Sequence, residues 1–158
     1  MKVGITGHRG LSVAVEKLVR ASLDAEVKKY EPTELCGVSC VADGPDTWFA
    51  ESVLAAGGRI EVVIPADQYR DGLPPAHHAT YDALLRRAVE VHDTGMGEST
   101  SQAHMTGSEI LVGLVDRLIA VWDGEAARGF GGTADVVAYA RRMGMPVDIV
   151  WPGGATRD

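Results

Sequence analysis

Short apolar runs rich in β-branched residues alternate along the chain with longer stretches whose apolar residues recur every three or four positions. Lys2–Thr6 (KVGIT) is the first run. Gly7–Gly10 (GHRG) breaks it, and a helical pattern follows from about Ser12 to Lys29, with Val15, Leu18 and Val19 on one face. Glu34–Val38 (ELCGV) reads as a second strand. Asp46 then stands where a side-chain cap would start a helix over Thr47 to about Ala56, which Gly57-Gly58 ends. Arg59–Ile64 (RIEVVI) is the third strand, closed by Pro65. A polar, proline-bearing loop leads to a helix from near His77 or His78 to about Ala88. Val89–Asp93, Val115–Trp122 and Pro146–Trp151 supply three more strands, separated by helices over Ser101 to about Gly113 and over Thr133–Met143.

Such alternation predicts an α/β protein of the Rossmann-like, doubly wound kind: a mostly parallel sheet of about six strands with helices on both faces. With 158 residues and 46% hydrophobic content, the chain holds enough apolar material for one substantial core. Residues 1–152 are expected to form a single domain and 153–158 a loose tail. In this architecture ligands bind beyond the carboxyl ends of the strands, where the strand order reverses. Gly7–Gly10, Ser39–Asp46, Thr94–Thr100 and Asp123–Thr133 all follow strands, so all four loops are expected on one edge of the sheet.

The stretch Trp122–Ala140 (WDGEAARGFGGTADVVAYA) carries the most specific chemistry. The first turn of a helix leaves N–H groups unpaired at the positive end of the aligned peptide dipoles. Gly129, Gly131 and Gly132 remove side chains that would hold an anion away, and Thr133 adds a hydroxyl, which together predict a phosphate site. An ordinary capped helix after a flexible turn uses the same residue types. Thr6, Gly7, His8 and Arg9 lie at the first strand-to-helix turn, on the same expected edge. Arg9 can grip a phosphate with two donors, and His8 can donate to one or stack on a base. Asp43 and Asp46 are candidates for ribose hydroxyls, with Asp46 equally readable as a helix cap. Asp123 is a candidate for the cleft floor, although Asp-Gly also simply forms a turn.

Charge narrows the partners. Fifteen Lys+Arg against 22 Asp+Glu give a net charge of -7, and no basic run tracks a nucleic-acid backbone, which argues against DNA, RNA and anionic membranes. A small phosphorylated ligand needs only local donors and stays compatible. The opening MKVGITGHRG lacks the basic-then-apolar form of a signal peptide, and no apolar segment reaches the roughly 18 residues of a membrane span, so a cytoplasmic location is expected. Cys36 and Cys40 have neither redox nor zinc-site spacing, and His77, His78, His92 and His104 form no HxxxH pattern; no metal and no cofactor is expected. Exposed apolar helix faces are compatible with a homodimer.

Three segments, TGHRGL after the opening strand, GVSCVADGPDTWFAE, and VDRLIAVWDGEAARGFGGTADVVAYARRMGMPV, together resemble the SLOG superfamily. These are Rossmann-like domains related to the LOG cytokinin-activating phosphoribohydrolases, also called lysine-decarboxylase-like proteins. The resemblance touches nearly the whole chain, and its clearest element is Gly-Gly-Thr followed by Tyr-Ala and then Gly-x-Pro. It implies a binder of nucleotides or nucleotide-derived ligands, either an enzyme or a sensor domain of the kind found in bacterial defence systems. The same segment is similar to nucleoside 2-deoxyribosyltransferases, and in both enzyme groups the pattern implies a glutamate three residues after the threonine.

Here that position is Val136, which can neither attack nor protonate a substrate. Asp135 is the nearest carboxylate, but a residue two positions past Thr133 points away from its helical face. Glu109 is an acid/base candidate by type alone. The arginine and following lysine that LOG enzymes carry on the preceding helix have no match between Gln102 and Glu109. The leading expectation is a domain that binds a small nucleotide-type ligand. N-glycosidic hydrolysis of a nucleoside monophosphate through Asp135 or Glu109 is the alternative, and an interaction module without a ligand is the third reading.

Overall fold

Six strands and five α-helices alternate through residues 1–157, which the computed structural model describes. They are β1 (Lys2–Gly7), α1 (Val13–Val27), β2 (Cys36–Ser39), α2 (Pro45–Ala55), β3 (Arg59–Ile64), α3 (His78–Arg87), β4 (Glu90–Asp93), α4 (Ser101–Leu114), β5 (Arg117–Val121), α5 (Thr133–Arg142) and β6 (Val147–Val150). The strands form one sheet in the order β4-β3-β2-β1-β5-β6, and every neighbouring pair is parallel. The chain therefore steps outward from β1 to β4, then returns to the other side of β1 for β5 and β6. Right-handed crossovers put the helices of these two runs on opposite faces. Accordingly α2 packs on both α1 and α3, whereas α4 packs on α5. Helices α1 and α2 bury Val15, Val19, Leu23, Phe49 and Val53, and α4 and α5 bury Leu111, Val112, Val136 and Ala140, whereas Leu18, expected on the buried face of α1, is 37% exposed.

Local chemistry sets the boundaries. Ser12 caps α1, its Oγ accepting from the Val15 N–H at 3.2 Å. Asp46 does not cap α2. The N-cap is Gly44, with φ 99°, and Pro45 opens the helix, where its missing N–H costs nothing and its fixed φ suits the first turn. Glu34 donates its N–H to the Glu31 carbonyl in a turn, so β2 starts at Cys36, the first residue in register with β1. Val115 ends α4, and β5 begins at Arg117. The segment after β6, expected to be loose, folds back on the body. The Trp151 ring meets the His8 ring edge-on at 5.8 Å between centroids, and Ala155 packs against the core. Among the described residues no helix is long and apolar enough to cross a membrane.

Candidate functional site

Strands β1 and β5 lie side by side, yet the chain leaves them for opposite faces, so the crevice beyond Gly7 and Val121 is the switch point of the sheet. A Cβ on Gly7 would stand 2.8 Å from Pro45 Cβ and 2.9 Å from Val121 Cβ. Glycine there lets the start of α2 close against the end of β1. The result is a cavity of about 350 Å³ lined by Thr6, Gly7, His8 and Arg9 from the first turn, Asp46 from α2, and Gly131, Gly132 and Thr133 at the start of α5. The sequence candidates from three separate loops thus converge on one space.

The other candidates act through these or not at all. Arg9 donates from Nε and Nη2 to Asp43 Oδ1 at 3.0 and 2.6 Å, so Asp43 orients Arg9. A second cavity of about 360 Å³, which Asp43 lines with Gly44, Trp48 and His77, lies beyond that ion pair. Asp123 meets His8: its Oδ1 and its backbone N are each 3.1 Å from His8 Nε2. A neutral ring accepts from that N–H, and a protonated one donates to the carboxylate. The His8 side chain is 2% exposed, and its Nδ1 is buried without a partner among the described residues. Burial, joined by the charges of Arg157 and Arg128, holds the His8 imidazole below its usual range.

Asp46 sets the charge of the cavity. Burial pushes its carboxyl up to about 7, Asp43 adds to the rise, and a hydrogen bond from Ala42 and the charge of Arg9 oppose it. Near neutrality this group is divided between its charged and neutral forms. Asp135, expected to point away, turns back along the loop: its Oδ2 accepts from the Gly131 N–H at 2.9 Å. Gly132 donates to the Gly129 carbonyl at 3.2 Å. Two of the amides assigned to a phosphate are therefore engaged, which leaves those of Thr133 and Ala134 in the first helical turn. Val136 is 2% exposed, in the core. Glu109 lines neither cavity.

Cys40, Tyr69, His104, Ser108, Phe130 and Arg157 also line the cavity and were missed. His104 and Ser108 are four residues apart on α4 and share a face; the His104 ring lies edge-on to Tyr69 at 5.5 Å and Nε2 is 2.7 Å from Ser99 Oγ. Burial lifts the Tyr69 phenol well above its ordinary value, which keeps it a neutral donor. Between Cys40 and Ala42, Val41 takes φ 48°, a conformation that β-branched residues rarely adopt. Ser39 Oγ holds its N–H and His77 Nε2 sits 2.9 Å from its carbonyl oxygen. Arg157 brings the chain end to the cavity wall, its Nη1 buried without a partner among the described residues. Phe130 was the most legible of the six, an aromatic residue set between loop glycines.

No family model matches the chain, and no curated protein does. Solved structures do. DNA processing protein A (DprA) from Streptococcus pneumoniae is 24% identical with a TM-score of 0.70, over 97% of this chain and 51% of that one, so the chain spans about half the length of that protein. DprA from Helicobacter pylori, a structure described for its single-stranded DNA binding mode, is 16% identical with a TM-score of 0.68, over 99% of this chain and 68% of that one. The molybdenum cofactor carrier protein from Chlamydomonas reinhardtii is 16% identical with a TM-score of 0.59, over 94% and 74%. These similarities correct two expectations, that the ligand is a free small nucleotide and that nucleic acid is excluded, because a single-stranded DNA binder shares this fold. The error lay in the charge argument: -7 is a sum over the whole surface, whereas the cavity wall carries Arg9, Arg157 and the start of α5. At the level of fold, an α/β domain of the Rossmann-like kind, the expectation read from the sequence holds.

Proposed function

We propose that this domain binds single-stranded DNA, with one nucleotide of the strand entering the cavity at the β1–β5 switch point. Phe130 carries the reading. It is 59% exposed on the loop that ends in the α5 N-terminus, so a stacking platform and a phosphate grip lie three residues apart. An exposed phenylalanine there contributes little packing, whereas a base stacked on an aromatic ring contributes roughly 1–3 kcal/mol. The phosphate would meet the Thr133 and Ala134 amides, with Arg157 and Arg9 supplying charge. In this role the LOG-like glycine loop holds a strand, and no carboxylate at position 136 is needed. A cavity of about 350 Å³ admits one nucleotide and excludes a base pair, which favours unstacked single strands over duplex. The likeness to the DprA structures supports the assignment.

Fluorescence anisotropy with a labelled oligothymidylate, the matching duplex and a free mononucleotide as competitor tests it. Single strand binds and duplex binds more weakly. Phe130→Ala weakens single-strand binding roughly 5- to 150-fold with an unchanged melting temperature. With one phosphate gripped, log K against log salt falls with a slope of only about -0.7. Equal affinity for duplex, or an unaltered affinity in Phe130→Ala, refutes the proposal.

A further inference from the structure

We propose that Glu61, Glu90 and His92, on the outer strands β3 and β4, form a binding site for a divalent transition-metal ion of the zinc type. None of the three lines either cavity. The parallel register sets Glu61 beside Glu90 and Val63 beside His92. Residues paired across neighbouring strands share a face, and so do residues two apart. One imidazole nitrogen and two carboxylate oxygens consequently lie within 4.8 Å of one another. His92 Nε2 is already 2.8 Å from Glu61 Oε1. Bonds of about 2.0–2.2 Å in a tetrahedral site separate the donors by roughly 3.3 Å. Binding therefore asks the first pair to open slightly and Glu90, exposed on an edge strand, to draw in.

Charge favours the ion. Glu61 is 4% exposed, and a buried carboxylate requires a counter-charge. Lys2 Nζ supplies one at 2.8 Å from Glu61 Oε2, but Glu90 adds a second carboxylate, so with neutral His92 the group carries one negative charge in excess. Lys2 is 40% exposed along its side chain and can leave for solvent when a dication arrives. The Cys36 thiol, 3.5 Å from Glu61 Oε2, holds the buried carboxylate from behind. One nitrogen and two oxygens suit zinc and its neighbours over magnesium or calcium, which take all-oxygen sets, and three protein ligands leave a position for water.

Isothermal titration of zinc chloride into the tag-free chain tests this, with the same titration on four variants. One ion binds per chain. His92→Ala and Glu90→Gln each weaken binding at least tenfold, whereas His78→Ala, on α3, leaves it unchanged. Lys2→Gln, which removes the competing ammonium, tightens it severalfold. Circular dichroism of each variant confirms that the fold is retained. Absence of zinc binding overturns the proposal, as does wild-type affinity in His92→Ala or an equal loss in His78→Ala; Lys2 would then be the sole counter-ion of a purely structural carboxylate.

Discussion

Gly131→Ala places the phosphate loop under direct test. Gly131 has φ 84°, and a Cβ there would stand 3.0 Å from the Ser101 carbonyl oxygen. A left-handed conformation costs a residue with a Cβ roughly 1–2 kcal/mol. The oxygen cannot easily retreat, because Ser101 opens α4 and Thr100 Oγ1 fixes that turn by accepting from the Ala103 N–H at 3.1 Å. The Gly131 N–H is also tied to Asp135, so a shift of the backbone loses that hydrogen bond as well. The sum is about 2 kcal/mol or slightly more, which for a chain of this length lowers the melting temperature by roughly 4–8 °C. Gly129→Ala is the matched control: its Cβ meets nothing within 4 Å, and the change stays within about 0.5 kcal/mol. Urea titrations give the stabilities, and anisotropy with oligothymidylate gives the affinities. Gly131→Ala is expected to lose both stability and most of its single-strand binding, and Gly129→Ala to keep its stability. Equal behaviour of the two variants in both assays would refute the claim that the loop's shape depends on residue 131.

Asp46 supplies a pH dependence. Its carboxyl titrates near 7 in the fold against 3.8 for the ordinary group, so the folded chain holds a proton that the unfolded chain has released. Stability therefore falls as pH rises from about 4 to about 7 and levels off above it. Urea midpoints measured across that range show the fall in the wild type and a flatter profile in Asp46→Asn. The same charge repels a strand, so wild-type affinity for oligothymidylate weakens from pH 6 to pH 8 by more than that of Asp46→Asn; parallel profiles would exclude Asp46 from the site. Phe49 is 1% exposed, and its ring sits where a Cβ on Gly37 would come within 2.9 Å of it. Phe49→Ala leaves a cavity between α2 and the sheet and costs about 3–5 kcal/mol, read from urea midpoints; a loss below 1 kcal/mol would show that the packing there is loose.

Strands β1, β3, β5 and β6 were legible because buried parallel strands are near-continuous apolar runs, and each of these four ends at or within a few residues of Gly, Pro or Asp-Gly. Helix α5 was read to its first residue, since Thr133 follows a pair of glycines. Helix α2 was misread by two residues because an acidic residue before an apolar stretch looks like a cap, while the operative signals were proline at the first helical position and a glycine free to take φ 99°. Periodicity fixes such elements one at a time. It carries no information on which strand lies beside which, so the pairing of β1 with β5, which joins the two glycine loops, is visible only in the structure.

Side chains that enter a site from distant elements leave no local trace, and that separates what was found from what was missed. His104 and Ser108 look like ordinary residues of an amphipathic helix; they reach the cavity only because the crossover from β4 to β5 carries α4 to the face opposite α2. Arg157 enters because Trp151 anchors the chain end against His8. Asp135 shows the limit of helical geometry as an argument. Expected to point away, its carboxylate in the first turn reaches backward to the Gly131 N–H, which removes Gly131 from the donors assigned to a ligand. Charge failed for the related reason that it was summed. In the proposed mode Arg9, Arg157 and the Thr133 and Ala134 amides would act over a few ångströms on one phosphate, whereas exposed acidic residues elsewhere on the surface are largely screened beyond about 8 Å at physiological salt. An acidic chain can accordingly hold an acidic strand through a single well-formed cavity, at the expense of a shallow salt dependence and modest affinity, and that combination separates it from a basic groove that tracks a long backbone.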